Sequence, residues 1–219
     1  MMLNELFYSI QGEGFLAGVP SVFVRLAGCN LRCKWCDTPY ALDAESGEEI
    51  DLIDMWEKVF EYKCRHVVIT GGEPMLWDEI DHFTAELMCH DKHVTIETNG
   101  TIYRPEIPAA LMSISPKLAN AFPEGAEPAF DAKIVRKLMR KYNYQLKFVV
   151  GGAEDVSLVQ SALKELGQAV KGRVLLMPQA RTKQQYRELA PKIAELCLET
   201  GFCFSPRLHV EMYGDKRGV

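Results

Sequence analysis

Three thiols fall within one short run, Cys29-Asn-Leu-Arg-Cys33-Lys-Trp-Cys36. A CxxxCxxC loop of this kind can wrap one corner of a 4Fe-4S cube, with one thiolate to each of three irons. The fourth iron is then left without a protein ligand. An iron with an open position can bind and activate a small molecule, which a fully ligated electron carrier cannot. Two plainer chemistries compete. A structural zinc ion wants four protein ligands, usually as two CxxC-type pairs, whereas Cys64, Cys89, Cys197 and Cys203 are scattered singly. A reducible disulfide would use only two of the three thiols. The spacing favours the cluster.

Other residues with chemical potential lie downstream. Gly71-Gly72-Glu73-Pro74 ends a strand-like run. Its glycines would let backbone approach a ligand closely, and the Gly72 carbonyl or Glu73 carboxylate could accept from an ammonium group. The plainer reading is a strand-to-helix turn. Asn99, Ser115, Lys117 and Gln179 supply donors suited to a carboxylate and a ribose, or else ordinary caps and turns. Gln11, Gly12, Glu13 and Gly14 put an amide and a carboxylate on a flexible loop ahead of the first core strand. Arg25 suits a carboxylate bidentately, or a salt bridge at a strand edge. The five histidines show no ligand spacing and read as structural or surface residues, with His209 kept open. The four remaining cysteines read as apolar or half-buried and inert.

The elements that must position these groups alternate. Strand-like runs at Ser21–Ala27, His66–Thr70, Val94–Thr98, Leu111–Ser115, Tyr144–Val150 and Arg173–Met177 are separated by helical stripes. One such stripe is Leu52, Ile53, Trp56, Val59 and Phe60. Short apolar strands alternating with amphipathic helices predict a parallel sheet covered by helices. The chain, at 219 residues, falls short of the roughly 250 typical of a closed eight-fold barrel. The expected fold is therefore α/β, an open partial (β/α) barrel of about six parallel strands. No linker or repeat divides it, so residues 1–219 read as a single domain. Pro191 lies inside the last helical stripe and should kink or shorten that helix. The cysteine loop, Gly71-Gly72-Glu73, Thr98-Asn99, Ser115-Pro116-Lys117 and Pro178-Gln179 each follow the C-terminal end of a strand. Ligands of α/β proteins bind at that edge.

Composition narrows the classes. A net charge of −5 offers no electrostatic footprint for nucleic acid. No apolar run reaches membrane-spanning length. Met1-Met-Leu-Asn-Glu lacks the basic and apolar regions of a signal peptide, and seven cysteines without such a signal read as reduced thiols. The expected location is the cytoplasm.

The CxxxCxxC loop with Trp35 before its last cysteine resembles the radical S-adenosylmethionine (SAM) superfamily, and Gly71-Gly72-Glu73-Pro74 matches that superfamily's GGEP motif. Ser9-Ile-Gln-Gly-Glu-Gly14 and Ser115-Pro116-Lys117 narrow the resemblance to the 7-carboxy-7-deazaguanine synthase family. It runs from about Leu6 to about Gln179. It implies a radical-SAM core in which Cys29, Cys33 and Cys36 hold a 4Fe-4S cluster. SAM would be bound by Trp35, Cys36, Asp37, Gly72, Glu73, Thr98, Asn99, Ser115, Pro116, Lys117, Pro178 and Gln179. The same resemblance implies a pterin substrate, 6-carboxy-5,6,7,8-tetrahydropterin, read by Ile10, Gln11, Gly12, Glu13, Arg25 and Thr70. It implies Mg²⁺ on Thr38, an electron donor such as flavodoxin or ferredoxin, and a homodimer. Ser205-Pro-Arg-Leu-His209 resembles the family's terminal segment, while the residues beyond it match nothing reliable. Two rivals remain: an activase of glycyl-radical enzymes, which would not need the Gln-Gly-Glu-Gly loop, and a non-enzymatic iron–sulfur module.

Overall fold

The expected alternation is present in the structure, a computed structural model that describes residues 1–126, 128–167 and 171–219. Its strands are β1 (Met2–Ile10), β2 (Pro20–Leu26), β3 (Glu48–Glu49), β4 (His66–Gly71), β5 (His93–Thr98), β6 (Leu111–Ile114), β7 (Tyr144–Val150), β8 (Val174–Pro178) and β9 (Cys203–Phe204). The helices are α1 (Leu52–Phe60), α2 (Ile80–Cys89), α3 (Ala132–Lys141), α4 (Ala153–Leu166), α5 (Lys183–Thr200) and α6 (Leu208–Tyr213). The sheet runs β3-β1-β2-β4-β5-β6-β7-β8-β9. Neighbours from β2 to β9 are parallel. The two ends of the sheet, β3 and β9, do not meet, so the barrel is open.

The helices begin where the sequence supplies caps. Asp51 accepts from the Asp54 amide at α1, and Asp131 accepts from Lys133 and Ile134 at α3. Thr182 and Gln185 form a reciprocal capping box at α5, and Gly201 ends that helix in the left-handed region at φ 73°. Pro191 does not shorten α5, which runs unbroken through Lys183–Thr200. The Arg187 carbonyl, which loses its donor to the proline, belongs to an exposed residue, where water can serve it.

Strand parity separates core from site. Val22, Val24, Leu26, Val67, Ile69, Ile96, Ile114, Leu146, Phe148 and Leu176 face the helices and pack with Met55, Phe83, Leu87, Leu138 and Ile193. The alternate positions, among them Phe23, Arg25, Thr70, Glu97, Lys147, Val149 and Met177, face the inside of the curl and line a cavity. β1, the two-residue strands β3 and β9, and the helix α6 were not foreseen. β1 pairs antiparallel with both β2 and β3, so β2, the first parallel strand, is also the second arm of a hairpin.

The ends of β2 and β4 are zipped together. The amides of Gly72 and Glu73 donate to Leu26 O (3.0 Å) and Gly28 O (2.8 Å), and that of Cys29 donates to Leu42 O (2.8 Å). A Cβ on Gly71, at φ 141°, would collide with the Leu26 backbone, and one on Gly72 with Gly28 O. These glycines therefore permit the approach of two loops. Both glycines also line the cavity described below.

Candidate active site

The strand ends converge on a cavity of about 270 Å³. It is lined by all three motif cysteines, by Ile10, Gln11, Gly12, Glu13, Arg25, Thr38 and Thr70, and by Trp35, Asp37, Gly72, Thr98, Asn99, Ser115 and Lys117. Four expected site residues lie elsewhere. Pro116 and Pro178 are buried beside their strand ends, and Gln179 is exposed. Gln179 lines a side chamber of about 110 Å³ that shares Trp35, Asp37, Arg181 and Arg207 with the main cavity.

Glu73 is the fourth, and its carboxylate is fully buried. It accepts from Thr98 Oγ1 (2.8 Å), the Asn99 amide (2.7 Å) and the Met75 amide (3.1 Å). Burial raises its pKa, and these three donors oppose the shift. The group braces the β4 and β5 loops against each other. Of the two acceptors expected at this turn, the Gly72 backbone is the one on the cavity wall.

The cysteine loop is fixed from several sides. Lys34 N donates to Ala121 O (2.9 Å), Trp35 Nε1 to Asn120 O (3.0 Å), and Asn99 Nδ2 to Asn30 Oδ1 (2.9 Å). Its thiols are free and partly exposed. Burial pushes all three upward in pKa, Cys33 to about 11; neighbouring thiolates add to the effect at Cys29 and Cys33, and Asp37 adds to it at Cys36. Lys117 opposes the rise at each, while its own Nζ donates to Ser115 O (2.7 Å) and Ser115 Oγ (2.8 Å). Three thiols that gain stability as thiolates only beside positive charge suit a cationic iron cluster. Among the described residues no three His, Cys, Asp or Glu side chains converge on a single ion. A cube, which takes one thiolate per iron, does not require that convergence.

A chain of charges runs beneath the cavity. Lys147 pairs with Glu13 and lies 3.6 Å from Glu97. Glu97 also accepts from Gln11 Nε2 (3.3 Å) and Thr70 Oγ1 (3.1 Å). Arg207 Nε donates to Glu13 Oε1 (3.1 Å), and the same guanidinium pairs with Asp37 and donates to Ala180 O. Burial alone would raise the Glu13 carboxyl, but Lys147, Arg207 and His209 outweigh it and hold it at about 2. Burial opposes the charge of Lys147, and Glu13 and Glu97 more than restore it. The segment carrying Glu13 is not the flexible loop expected. Gly14 N donates to Ser205 Oγ (2.9 Å) and Phe15 N to Gln145 Oε1 (2.8 Å). Gly12 packs so closely on His209 that a Cβ would overlap the imidazole. Glu97, Lys147 and Arg207 escaped the sequence reading; their signal was a charge at inward parity within a strand, or in the terminal segment. Cys89 is exposed rather than half-buried.

Arg25 Nε donates to Glu5 Oε1 (2.6 Å), and Tyr40 OH donates to the same oxygen (3.0 Å). The plain salt bridge is thus present, while the Arg25 side chain remains on the cavity wall. Thr38 Oγ1 donates to Asp37 Oδ1 (3.0 Å) at the cavity edge.

A three-thiol loop opening into the mouth of an unclosed parallel barrel defines a radical SAM protein, and the profile of the radical SAM superfamily matches residues 24–180. The solved QueE from Escherichia coli superposes with a TM-score of 0.71 at 26% identity, covering 93% of this chain and 92% of that one. The 7-carboxy-7-deazaguanine synthase of Halobacterium salinarum is 39% identical over 97% of this chain and 90% of its own length. That of Aquifex aeolicus is 38% identical over 94% and 89%. The chain belongs to the 7-carboxy-7-deazaguanine synthase family of radical SAM enzymes.

Proposed function

We infer that the protein converts 6-carboxy-5,6,7,8-tetrahydropterin to 7-carboxy-7-deazaguanine with loss of ammonia, a step toward queuosine and related deazapurines. The observation that carries this reading is the meeting of the cysteine loop with Arg25 and the Gln11–Glu97–Lys147–Glu13 chain in one cavity. When bound, the cluster and SAM supply a 5′-deoxyadenosyl radical that abstracts hydrogen from the substrate. The chain's own residues do the rest. Cys29, Cys33 and Cys36 hold the cluster, while Gly72, Asn99, Ser115 and Lys117 face SAM. Gln11 and Glu13 offer a donor and an acceptor to the edge of the pterin ring, and Lys147 keeps Glu13 ionised. Arg25 takes the substrate carboxylate. All 219 residues would act as one domain. An external one-electron donor such as flavodoxin or ferredoxin and a homodimeric state complete the reading.

The direct test is anaerobic reconstitution with SAM, reductant and the carboxytetrahydropterin, followed by mass spectrometry. The deazaguanine acid is the expected product; SAM cleavage without consumption of the pterin would reject the assignment. Arg25→Ala should raise KM for the pterin, because a charge-assisted contact contributes about 1.5–3 kcal/mol. Uncoupled 5′-deoxyadenosine formation should change little, and an equal loss of both would indicate a folding defect.

Mg²⁺ belongs to the same reading. Thr38 offers a hard oxygen at the cavity edge, and Mg²⁺ commonly uses few protein ligands together with substrate and water. Turnover should rise with added Mg²⁺, and Thr38→Ala should blunt that response at unchanged iron content. Turnover independent of Mg²⁺ in chelated wild-type enzyme would exclude the metal.

A further inference from the structure

Beyond α6 the chain turns at Gly214, in the left-handed region at φ 71°, and residues 214–219 return along the cavity wall. Two anchors hold this strap. Asp215 Oδ2 lies 3.9 Å from Arg181 Nη2, just past β8. At the other side Arg217 stacks over the Tyr40 ring at 3.6 Å and stands 3.6 Å from Glu5 Oε2. Its Nη2 also donates to Asn4 Oδ1 at 3.4 Å. The strap thus joins the β8 side of the barrel to β1. Both anchors are exposed, with Asp215 at 69% and Arg217 at 54%, and exposed ion pairs are weak. The strap is held but can open.

Glu5 differs from these anchors, being 14% exposed and shared by two arginines. Its Oε1 faces Arg25 at 2.6 Å and its Oε2 faces Arg217 at 3.6 Å. A carboxylate arriving at Arg25 would satisfy that guanidinium and repel Glu5, which then has Arg217 as its remaining cation. We propose that Glu5 is a relay through which a carboxylate ligand at Arg25 tightens the Arg217 strap, making Arg217 a positioning residue for substrate enclosure. The proposal rests on the assignment of the substrate carboxylate to Arg25.

Lys216 and Arg217 are exposed trypsin sites on the strap itself. The probe is 6-carboxypterin, an oxidised and redox-inert carboxylate, with unsubstituted pterin as the control. Binding is followed by pterin fluorescence, and cleavage after Lys216 by intact-protein mass. Saturating 6-carboxypterin should slow that cleavage about fivefold, the leverage of one exposed ion pair. Pterin should not slow it, and Glu5→Gln and Arg217→Met should abolish the protection at unchanged iron content. If Glu5→Gln does not fold, Arg217→Met decides alone. Binding of 6-carboxypterin with no protection, or equal protection in Arg217→Met, overturns the relay alone. Failure of 6-carboxypterin to bind the wild type rejects the substrate assignment and the relay with it.

Discussion

Cys33→Ser should leave the anaerobically reconstituted protein without a stable cluster, and SAM cleavage should fall to background. A hydroxyl is a poor iron ligand where a thiolate is required, and two remaining thiolates cannot fix three corners of a cube. The fold should survive, because Cys33 lies on a partly exposed loop held by the Lys34 amide, Trp35 and Asn30. Iron and sulfide analysis, the visible absorbance that bleaches on reduction, and the thermal midpoint of the metal-free protein separate these outcomes. Iron content equal to wild type would reject the three-thiol site. The metal-free loop carries its own pH signature. Burial above all holds the three thiols protonated, Cys33 up to about 11, so cluster assembly must displace protons. Reconstitution at pH 9 should therefore outpace reconstitution at pH 7, and protons should be released on assembly.

The cysteine loop was legible because its meaning lies in local spacing, which survives without knowledge of the fold. The parallel strands were legible for a related reason. Strands buried on both faces are nearly continuous apolar runs, and His66–Gly71 and Val174–Pro178 read that way. β1 was not legible. Its residues Met2–Ile10 are only partly buried or exposed, so Asn4, Glu5 and Ser9 interrupt the apolar pattern, and its pairing partner lies across a turn. The GGEP motif was located in the sequence, but the packing within it was not legible there. Only the fold shows that Gly71 and Gly72 clear the backbone of Leu26 and Gly28, and that Glu73 turns away from the cavity toward Thr98 and Asn99. The charged chain was missed for the same physical reason. Glu97, Lys147 and Arg207 are far apart in sequence, and a lone charge in an apolar strand acquires a meaning only when its partner arrives from another strand.

Lys147 is the member of that chain whose removal should cost most. Its side chain is 5% exposed and sits between Glu13 and Glu97. Lys147→Met keeps the length and apolar stem but leaves two partly buried carboxylates, Glu13 at 12% and Glu97 at 22% exposed, short of a cation. Breaking a fully buried pair from one side typically costs about 3–5 kcal/mol; these carboxylates are partly exposed and Glu13 keeps Arg207, so urea unfolding at pH 7 should show a loss below that range. Substrate binding should fail as well, because Glu13 would lose a main cause of its ionisation. The pH dependence follows from the directions of the two shifts. Glu13 is held at about 2 against an ordinary value of 4.5, so its contribution is full above the ordinary value and is lost as pH falls toward 2. Lys147 is raised above 10.5, so its contribution is full below that value and is lost as pH rises through the folded one. The wild-type advantage over Lys147→Met should thus be greatest between these limits and should narrow at pH 3, where Glu13 begins to protonate. An advantage that stays constant from pH 7 to pH 3 would mean that Lys147 stabilises the barrel by packing its stem, and that the Glu13 pair contributes little.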